Sequence, residues 1–268
     1  MLELIQITND PAFARRCDAS EGFRLFVDLE RLGKAERQAG RNTFISAHDI
    51  ADVGRVREVL RRSRLMVRVN PLHEGTAAEL DAVLAQHPHL LMLPMFTRAD
   101  EVREFARLVA GRVRFVALLE TAGALATLDE WIATPGIEEV FVGLNDLHLS
   151  LGCRFMFEPL AQGLVDRVAD VARRAGKRFG FGGIARLDEG LLPGRDVLAE
   201  HLRLGSNSVI LSRTFHRADA STVFEDEVAA LRAAERELAL RSPGDEAADR
   251  GRIRERIEAI ARELGPRG

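Results

Sequence analysis

Carboxylate side chains follow two neighbouring apolar runs of this sequence, at the points where predicted strands end. Glu120 follows the run FVALL, and Asp146 follows the run VFVGL and Asn145. Acid groups that end adjacent strands can share one hard cation, and oxygen ligands favour Mg2+ or Mn2+ over a structural zinc. We therefore predict a divalent-metal site at Glu120 and Asp146, whose cation would offset negative charge as an enolate forms. A surface salt bridge at Glu120, and a helix N-cap at Asp146 before a turn starting at Leu147, are the structural alternatives.

Further polar residues lie at or just beyond the ends of other predicted strands. They are Asp28, Glu30, Arg68, Asn70, Arg186 and Arg213. A guanidinium that is held rigidly at a strand end can donate two parallel hydrogen bonds to a carboxylate or an enolate. Arg68 is therefore the predicted residue for substrate binding and charge stabilisation. A structural ion pair with Glu30 is the alternative, and that role is compatible with substrate contact.

These side chains need a scaffold of parallel strands, and the sequence predicts one. Short apolar or β-branched runs alternate with longer amphipathic stretches rich in Ala, Arg, Leu and Glu, which is typical of repeated strand–helix units. The predicted strands are 2–7, 23–29, 43–46, 65–70, 90–95, 114–119, 139–144, 179–181 and 208–212. These are nine strands, one more than an eight-stranded barrel contains. The range 43–46 is taken as the surplus strand, because it is short and directly precedes a helix.

The segments between the strands carry apolar residues at helical spacing. The predicted helices are 50–62, 76–86, 99–110, 122–134, 160–175 and 197–204. This alternation implies a parallel sheet with right-handed crossovers. Eight apolar strands favour an α/β fold of the closed (β/α)8 TIM-barrel type over an open sheet, because the edge strands of an open sheet are usually more polar. A doubly wound sheet is the alternative, but its GxGxxG turn is absent after the first strand.

The predicted barrel domain covers residues 1–224, and a charged helical extension follows at 225–268, interrupted by Ser-Pro-Gly-Asp at 242–245. The last helix carries apolar residues at spacings of three and four, which are Ile253, Ile257, Ile260 and Leu264. Two interpretations are open. The helix is either a solvated terminal helix or one that packs on a partner subunit.

Composition favours a soluble protein with a small-molecule partner. The chain has 268 residues, 46% of them hydrophobic, with a net charge of −3 and an isoelectric point near 6.2. Nothing in this charge favours nucleic acid or an anionic membrane. No segment reaches the roughly 18 to 20 apolar residues that span a bilayer, and the N-terminus lacks a basic leader. Cys17 and Cys153 are too few and too far apart for a disulfide framework, so we expect a reducing cytoplasm.

Five segments together resemble the HpcH/HpaI aldolase and citrate lyase β-subunit family. They are VDLE (27–30), VRVNP (67–71), LMLPM (91–95), LLET (118–121) and FVGLNDLHLSLG (141–152). The resemblance covers residues 20–215, and the paired LLET and GLNDL segments are its most specific part. It implies a metal-dependent barrel enzyme, commonly a homo-oligomer, that makes or breaks a carbon–carbon bond next to pyruvate, oxaloacetate or an acyl-CoA enolate.

The resemblance also implies roles for individual residues. Glu120 and Asp146 correspond to the metal ligands. Arg68 corresponds to the arginine that binds the oxo-acid carbonyl and the enolate oxygen, and Glu30 to the acid near the metal-bound water. One position departs from the pattern, because Arg31 stands where the aldolase branch has a histidine base and the citrate lyase branch usually has an acidic residue. Arginine is a poor base at neutral pH.

His48, in the segment ISAHD, is the predicted replacement for the missing base, because a loop from there could fold over the same end of the barrel. A histidine that caps or packs locally is the alternative. Lys34, Arg41 and Asn42 lie in the same part of the chain. They are candidates for recognising the distal end of the substrate.

Further substrate contacts are predicted at the last strands and beside the metal ligand. They are Asn145, Gly183 and Arg186. The segments GFGGIAR and LGSNSVILSR occupy the seventh and eighth strand positions, where many barrels bind phosphate, and glycines permit close backbone approach. A phosphate or distal carboxylate pocket and a tight strand-to-helix turn are equally supported. His148 is a weaker site candidate, and the aromatic insert CRFMFEPL (153–160) is interpreted as a lid or a subunit contact.

The leading functional hypothesis is a metal-dependent aldolase or lyase that acts through a pyruvate-type enolate, with a 2-oxo acid and an aldehyde as partners. A Schiff-base mechanism is disfavoured, because Lys34 lies in a charged loop and Lys177 lies just before a strand, where neither is buried. An acyl-CoA lyase or thioesterase of the citrate lyase type is the enzyme alternative, although no basic surface for a CoA nucleotide stands out. A barrel that has lost its base and only binds a ligand is the non-enzyme alternative.

Overall fold

Eight parallel strands form a closed barrel in chain order in the computed structural model, which describes residues 1–33, 47–216 and 223–265. The strands are β1 (Glu3–Ile7), β2 (Phe23–Asp28), β3 (Arg64–Arg68), β4 (Leu90–Leu93), β5 (Arg114–Leu119), β6 (Ile137–Val142), β7 (Arg178–Ile184) and β8 (Ser208–Leu211). The predicted (β/α)8 fold class is confirmed. The surplus strand at 43–46 lies outside the described residues.

Helices connect the strands and follow the last one. Within the described residues they are α1 (Pro11–Ala19), α2 (Ile50–Val59), α3 (Thr76–Leu84), α4 (Ala99–Val109), α5 (Ala122–Ala126), α6 (Leu128–Trp131), α7 (Leu144–Ser150), α8 (Glu158–Ala161), α9 (Leu164–Arg174), α10 (Gly194–Leu204), α11 (Phe224–Leu238) and α12 (Pro243–Glu263), with a short 3-10 helix at Arg213–His216. None of them is long and apolar enough to cross a membrane. Cys17 and Cys153 are both buried, and no disulfide joins them.

The chain divides into two compact units, residues 3–141 and residues 1–2 with 142–268. The core of the first unit includes a charged group inside the barrel strands. Arg24, in β2, is fully buried and pairs with Glu139 at 2.7 Å and with Glu3. Burial alone would lower the pKa of this guanidinium, but the two carboxylates outweigh burial and raise the pKa of Arg24 above its ordinary value. The arginine therefore remains a cation in the core.

The charged extension packs on its own chain in the second unit. Ile253 and Ile257 of α12 are almost fully buried, and the helix contacts α8 and α10. Ser242 and Asp245 form a capping box at the start of α12, and Pro243 occupies its first turn. The apolar stripe is thus covered within the subunit, although Leu264 at its end is 50% exposed. The division of the sequence at residue 224 into two domains stays a prediction.

Two predicted boundaries were wrong near the candidate site. The strand predicted at 139–144 is Ile137–Val142, and Leu144 already begins α7. Asp146 therefore lies inside the first turn of α7 and is not an N-cap, since the cap position belongs to Gly143. The strand predicted at 179–181 is longer, because β7 runs through a bulge between Gly180 and Gly183.

The start of α5 requires a glycine, and this predicts a stability effect. A Cβ at Gly123 would lie 2.5 Å from the backbone oxygen of Thr97, whereas Gly251, midway along α12, has open space around it. We expect Gly123→Ala to lower the free energy of unfolding by about 1–3 kcal/mol through overpacking. Gly251→Ala should instead raise it by about 0.5–1 kcal/mol through helix propensity.

Urea unfolding of both variants checks this pair of expectations. A Gly123→Ala protein as stable as the wild type would show that α5 can move away from Thr97 without cost.

Candidate functional site

An arginine at the end of β3 is surrounded by carboxylates. Arg68 is paired in register with Asp28, the last residue of β2. Its Nε donates to Asp28 Oδ1 at 2.9 Å and its Nη2 to Asp28 Oδ2 at 2.9 Å, which is a bidentate ion pair. Its Nη1 lies 3.3 Å from Glu30 Oε2. Both carboxylate side chains are only 2% exposed, so the ion pair with Glu30 that the sequence left open is present.

The electrostatic environment keeps Arg68 charged. Burial alone would lower the pKa of the guanidinium, but the attraction of the surrounding carboxylates outweighs burial and leaves the pKa of Arg68 above its ordinary value. Glu120 contributes to this attraction together with Asp28 and Glu30. The Arg68 side chain is 15% exposed, and its guanidinium lies 5.6 Å from the ring centroid of Phe26. A permanent cation therefore presents a small open edge at the ends of the strands.

Glu120 is buried and is oriented by the backbone. It is 3% exposed, and its Oε1 accepts a hydrogen bond from the backbone N–H of Met95 at 3.0 Å. Met95 adopts φ of 55°, a left-handed conformation that is uncommon for a residue with a side chain. Strain of this kind persists where the surrounding structure enforces it, commonly at functional sites. The motif LMLPM included Met95, but nothing in the sequence indicated its conformation.

Thr121, the residue after Glu120, makes two hydrogen bonds that hold the chain at the end of β5. Thr121 caps α5, since its Oγ1 accepts from the backbone N–H of Ala124 at 3.0 Å. The same hydroxyl donates to the carbonyl of Phe96 at 2.7 Å. The ends of β4 and β5 are thereby tied together on both sides of the Glu120 carboxylate.

His48 contacts the same cluster through its ring. Its Nδ1 accepts a hydrogen bond from the backbone N–H of Asp28 at 3.1 Å, and the residue is 6% exposed. A neutral imidazole that accepts at Nδ1 carries its proton on Nε2. This arrangement favours His48 as a hydrogen-bond donor over the base role expected from the sequence.

Arg31, the residue in the place of the expected base, has a structural contact. Its Nη2 donates to the backbone carbonyl of His48 at 2.9 Å. Asn70 Oδ1 accepts from the backbone N–H groups of Arg31 and Leu32 at 2.8 and 3.0 Å, while Glu79 holds the Asn70 side chain. Arg31 and Asn70 therefore anchor the segment that follows β2.

A cavity of about 570 Å³ adjoins this segment. It is lined by Leu29, Arg31, His48, Asp49, Ile50, Ala51, Asn70, His73 and Glu79. Its volume and its mixed lining of apolar and polar residues suit a small molecule. Lys34, Arg41 and Asn42, which were expected to recognise the distal end of the substrate, lie outside the described residues.

The second unit holds the remaining predicted residues. Asp146 is half-buried in the first turn of α7, and Asn145 beside it is exposed. Gly183 lies in β7, but the left-handed conformation belongs to its neighbour Gly182, with φ of 49°. His148 is buried, and its Nδ1 donates to the carbonyl one helical turn earlier at 3.0 Å, as a locally packed histidine does.

Arg186 lies in acidic surroundings within this unit. The residue is 6% exposed, its guanidinium is 3.8 Å from the carboxylates of Glu189 and Glu227, and its backbone N–H donates to Thr214 at 3.1 Å. This environment favours a tight strand-to-helix turn over a phosphate pocket. The insert at 153–160 is packed as well, because Phe155 and Phe157 are 7% and 6% exposed.

No group of three or more His, Cys, Asp or Glu side chains converges as a metal-binding set among the described residues. Mg2+ is commonly held by only one or two protein carboxylates, with substrate and water completing its shell. A Mg2+ site therefore does not require such a group of three.

These observations define a (β/α)8 barrel with a charged polar cluster at its strand ends, the place where barrel enzymes build their active sites. The chain belongs to the HpcH/HpaI aldolase/citrate lyase family, whose model matches residues 7–176. This is a family of aldolase- and lyase-type enzymes.

Individual relatives agree with this assignment. A hydroxypyruvate/pyruvate aldolase of Rhizorhabdus wittichii is 39% identical over 79 residues, which are 27% of this chain and 32% of that protein. The match thus spans about a third of the length of this curated relative. An HpcH/HpaI aldolase/citrate lyase family protein of Burkholderia cenocepacia is similar in structure, with a TM-score of 0.63, 17% identity, and coverage of 88% of this chain and 94% of that one. A citrate lyase β subunit of M. tuberculosis, complexed with oxaloacetate and magnesium, has a TM-score of 0.59, 21% identity, and coverage of 88% and 97%.

The Arg68 cluster predicts a large stability effect. Arg68→Met should lower the free energy of unfolding by about 3–5 kcal/mol, because it leaves two buried carboxylates without their counter-charge. Arg64→Met is the matched control in the same strand, since Arg64 makes a bidentate pair with Glu138 but is 38% exposed. We expect that control to cost no more than about 1 kcal/mol.

Urea unfolding at neutral pH measures both effects. Adding Asp28→Asn and Glu30→Gln to Arg68→Met should restore part of the lost stability. Equal losses in the two arginine variants would contradict the assignment of Arg68 as the counter-charge of a buried cluster.

Proposed function

We propose that this protein is a divalent-metal-dependent aldolase or lyase that makes or breaks a carbon–carbon bond through the enolate of a 2-oxo acid such as pyruvate or oxaloacetate. The observation that carries the proposal is the Arg68 cation, held by Asp28 and Glu30 at the ends of parallel strands with one edge open. A fixed cation at this position suits a carboxylate or an enolate oxygen.

The proposal assigns metal binding to Glu120 and Asp146, which follow β5 and begin α7 after β6, consecutive strands of the barrel. The donor chemistry fits a hard cation, since Glu120 offers a buried carboxylate already oriented by the Met95 N–H. When bound, Mg2+ or Mn2+ would polarise the substrate carbonyl and offset the charge of the enolate.

The chain's own residues would bind the substrate and transfer the proton. Arg68 binds the oxo-acid oxygens through its open edge, and Asp28 keeps the guanidinium in place. Glu30, a buried carboxylate beside Arg68, takes the proton from C3 of the substrate and returns it to the product oxygen after the new bond forms. His48 donates a hydrogen bond through Nε2. Asn145, Gly183 and Arg186 remain the proposed contacts for the rest of the substrate.

The relatives support this chemistry by analogy. The relative from R. wittichii is named for pyruvate, and the M. tuberculosis protein holds oxaloacetate and magnesium. An aldehyde as second substrate and a homo-oligomeric assembly belong to the proposal as well.

Exchange of the methyl protons of pyruvate in D2O, followed by proton NMR, tests enolate formation without requiring the aldehyde to be known. We expect exchange after EDTA treatment only when Mg2+ or Mn2+ is restored. Glu120→Gln and Asp146→Asn should each slow it by about 10²-fold or more, because one metal ligand is lost. Glu58→Gln, which removes an exposed carboxylate from α2, is the control and should exchange at the wild-type rate.

Calorimetry of pyruvate binding accompanies this assay. Binding that does not depend on metal, or no binding at all, would refute the proposal and favour a barrel that binds another ligand. Turnover of a CoA ester in place of pyruvate would favour the acyl-CoA lyase alternative.

The role of His48 is tested by two substitutions that differ in hydrogen bonding. His48→Gln keeps an N–H donor and should retain exchange within about tenfold of the wild type, whereas His48→Phe removes the donor and should lose about 10²-fold. His73→Gln, in the wall of the same cavity, serves as the control. If His48 is instead the base, both His48 variants should be equally inactive.

A further inference from the structure

A second cavity, of about 530 Å³, opens at the start of β5 in the first unit. Its wall includes Arg114, the first residue of the strand, whereas Glu120 follows the last. Six residues of extended chain separate these two positions by about 20 Å. The cavity is therefore distinct from the proposed catalytic site.

The floor of this cavity is apolar and rigid. It includes Ala106, Val109, Val113, Phe115 and Pro135, with Val109 and Phe115 almost fully buried. The floor is closed on one side by Gly136, which adopts φ of 94° and would bring a Cβ within 2.9 Å of the Phe115 ring. The glycine thus lets the turn at 134–136 lie directly against the aromatic ring.

The rim of the cavity is cationic. Three of its lining residues are arginines, Arg103, Arg107 and Arg114, and none of the lining residues is acidic. Arg107 is neutralised by Glu104, to which it donates at 2.7 and 2.6 Å. The Arg103 side chain donates to a backbone carbonyl, and the Arg114 side chain makes no ion pair or hydrogen bond within the described part of the chain. Two arginines that line the cavity thus have no carboxylate partner among the residues that the structure describes.

A threonine also lines the cavity. Thr134 is only 6% exposed, and its side chain has no hydrogen-bond partner among the residues that the structure describes. The hydroxyl is not among the buried polar atoms that lack a partner, so it is accessible from the cavity. Thr134 therefore offers a donor between the apolar floor and the arginines.

We infer that this cavity binds an organic anion with an apolar body and a single oxyanion group, a carboxylate or a sulfonate. The apolar body would cover Phe115 and Val109, and the oxyanion would accept hydrogen bonds from Arg103, Arg114 and Thr134. The inference is independent of the proposed aldolase activity. Its chemistry is the pairing of guanidinium with oxyanion over a hydrophobic floor.

Fluorescence titration with 1-anilinonaphthalene-8-sulfonate as the probe tests whether the cavity binds such an anion. N-phenyl-1-naphthylamine has the same rings without the sulfonate, and it should bind at least about tenfold more weakly. Octanoate should displace the sulfonate probe, whereas octanol at the same concentration should not. Equal binding of the two naphthalene compounds, or no displacement by octanoate, would overturn the inference.

Substitutions locate the binding. Arg103→Gln and Arg114→Gln should each raise the Kd of the sulfonate probe about three- to fivefold, and the double variant about tenfold or more. Thr134→Val should raise the Kd about threefold, with Thr134→Ser restoring it. Arg236→Gln, which changes an exposed arginine of α11, should leave the Kd unchanged.

Pyruvate proton exchange is measured in the same variants. It should stay at the wild-type rate in the double variant, so that a failure of the aldolase proposal and a failure of this inference give different results. Unchanged probe affinity in the double variant would show that the probe binds elsewhere and would refute the site.

Discussion

Burying Arg68 is possible only because carboxylates surround it. A guanidinium that leaves water loses several kcal/mol of hydration, and a bidentate partner with further negative charge nearby is what offsets the loss. Asp28 is the bidentate partner, while Glu30 and Glu120 add attraction. The pairing fixes the register of β2 and β3, because a slip of one residue would turn one partner to the other face of the sheet.

The carboxylate of Glu120 is held in place by different means. Glu120 accepts a hydrogen bond from the backbone N–H of Met95, which adopts a left-handed conformation. Thr121 and Gly123 position the chain that follows Glu120. Most of this arrangement comes from main-chain groups, which have less freedom than long side chains. A carboxylate fixed before any ligand arrives loses little entropy when it binds one.

The sequence predicted the barrel, and it offered an Arg68–Glu30 ion pair as an alternative role of Arg68, because both have local signals; it did not predict the bidentate partner Asp28. Apolar runs of strand length mark the eight strands, and a polar residue directly after such a run marks the strand end. It misplaced the end of β6 because Leu144 is apolar and extends the run, although it already belongs to α7. The φ of Met95, the hydrogen bond between Asp28 and His48 and the Arg24 cluster depend on contacts between residues far apart in the chain, and no local pattern predicts them. The same is true of the arginine-rimmed cavity, whose walls come from separate segments.

The Arg24 cluster constrains how this sequence can change over generations. Arg24, Glu3 and Glu139 meet in the core, and replacing Arg24 alone leaves the fully buried Glu139 without its counter-charge. Replacing all three by apolar residues of similar volume is often harmless in such clusters. A change at Arg24 is therefore tolerated only together with a change at Glu139, so these two positions should change together through evolution.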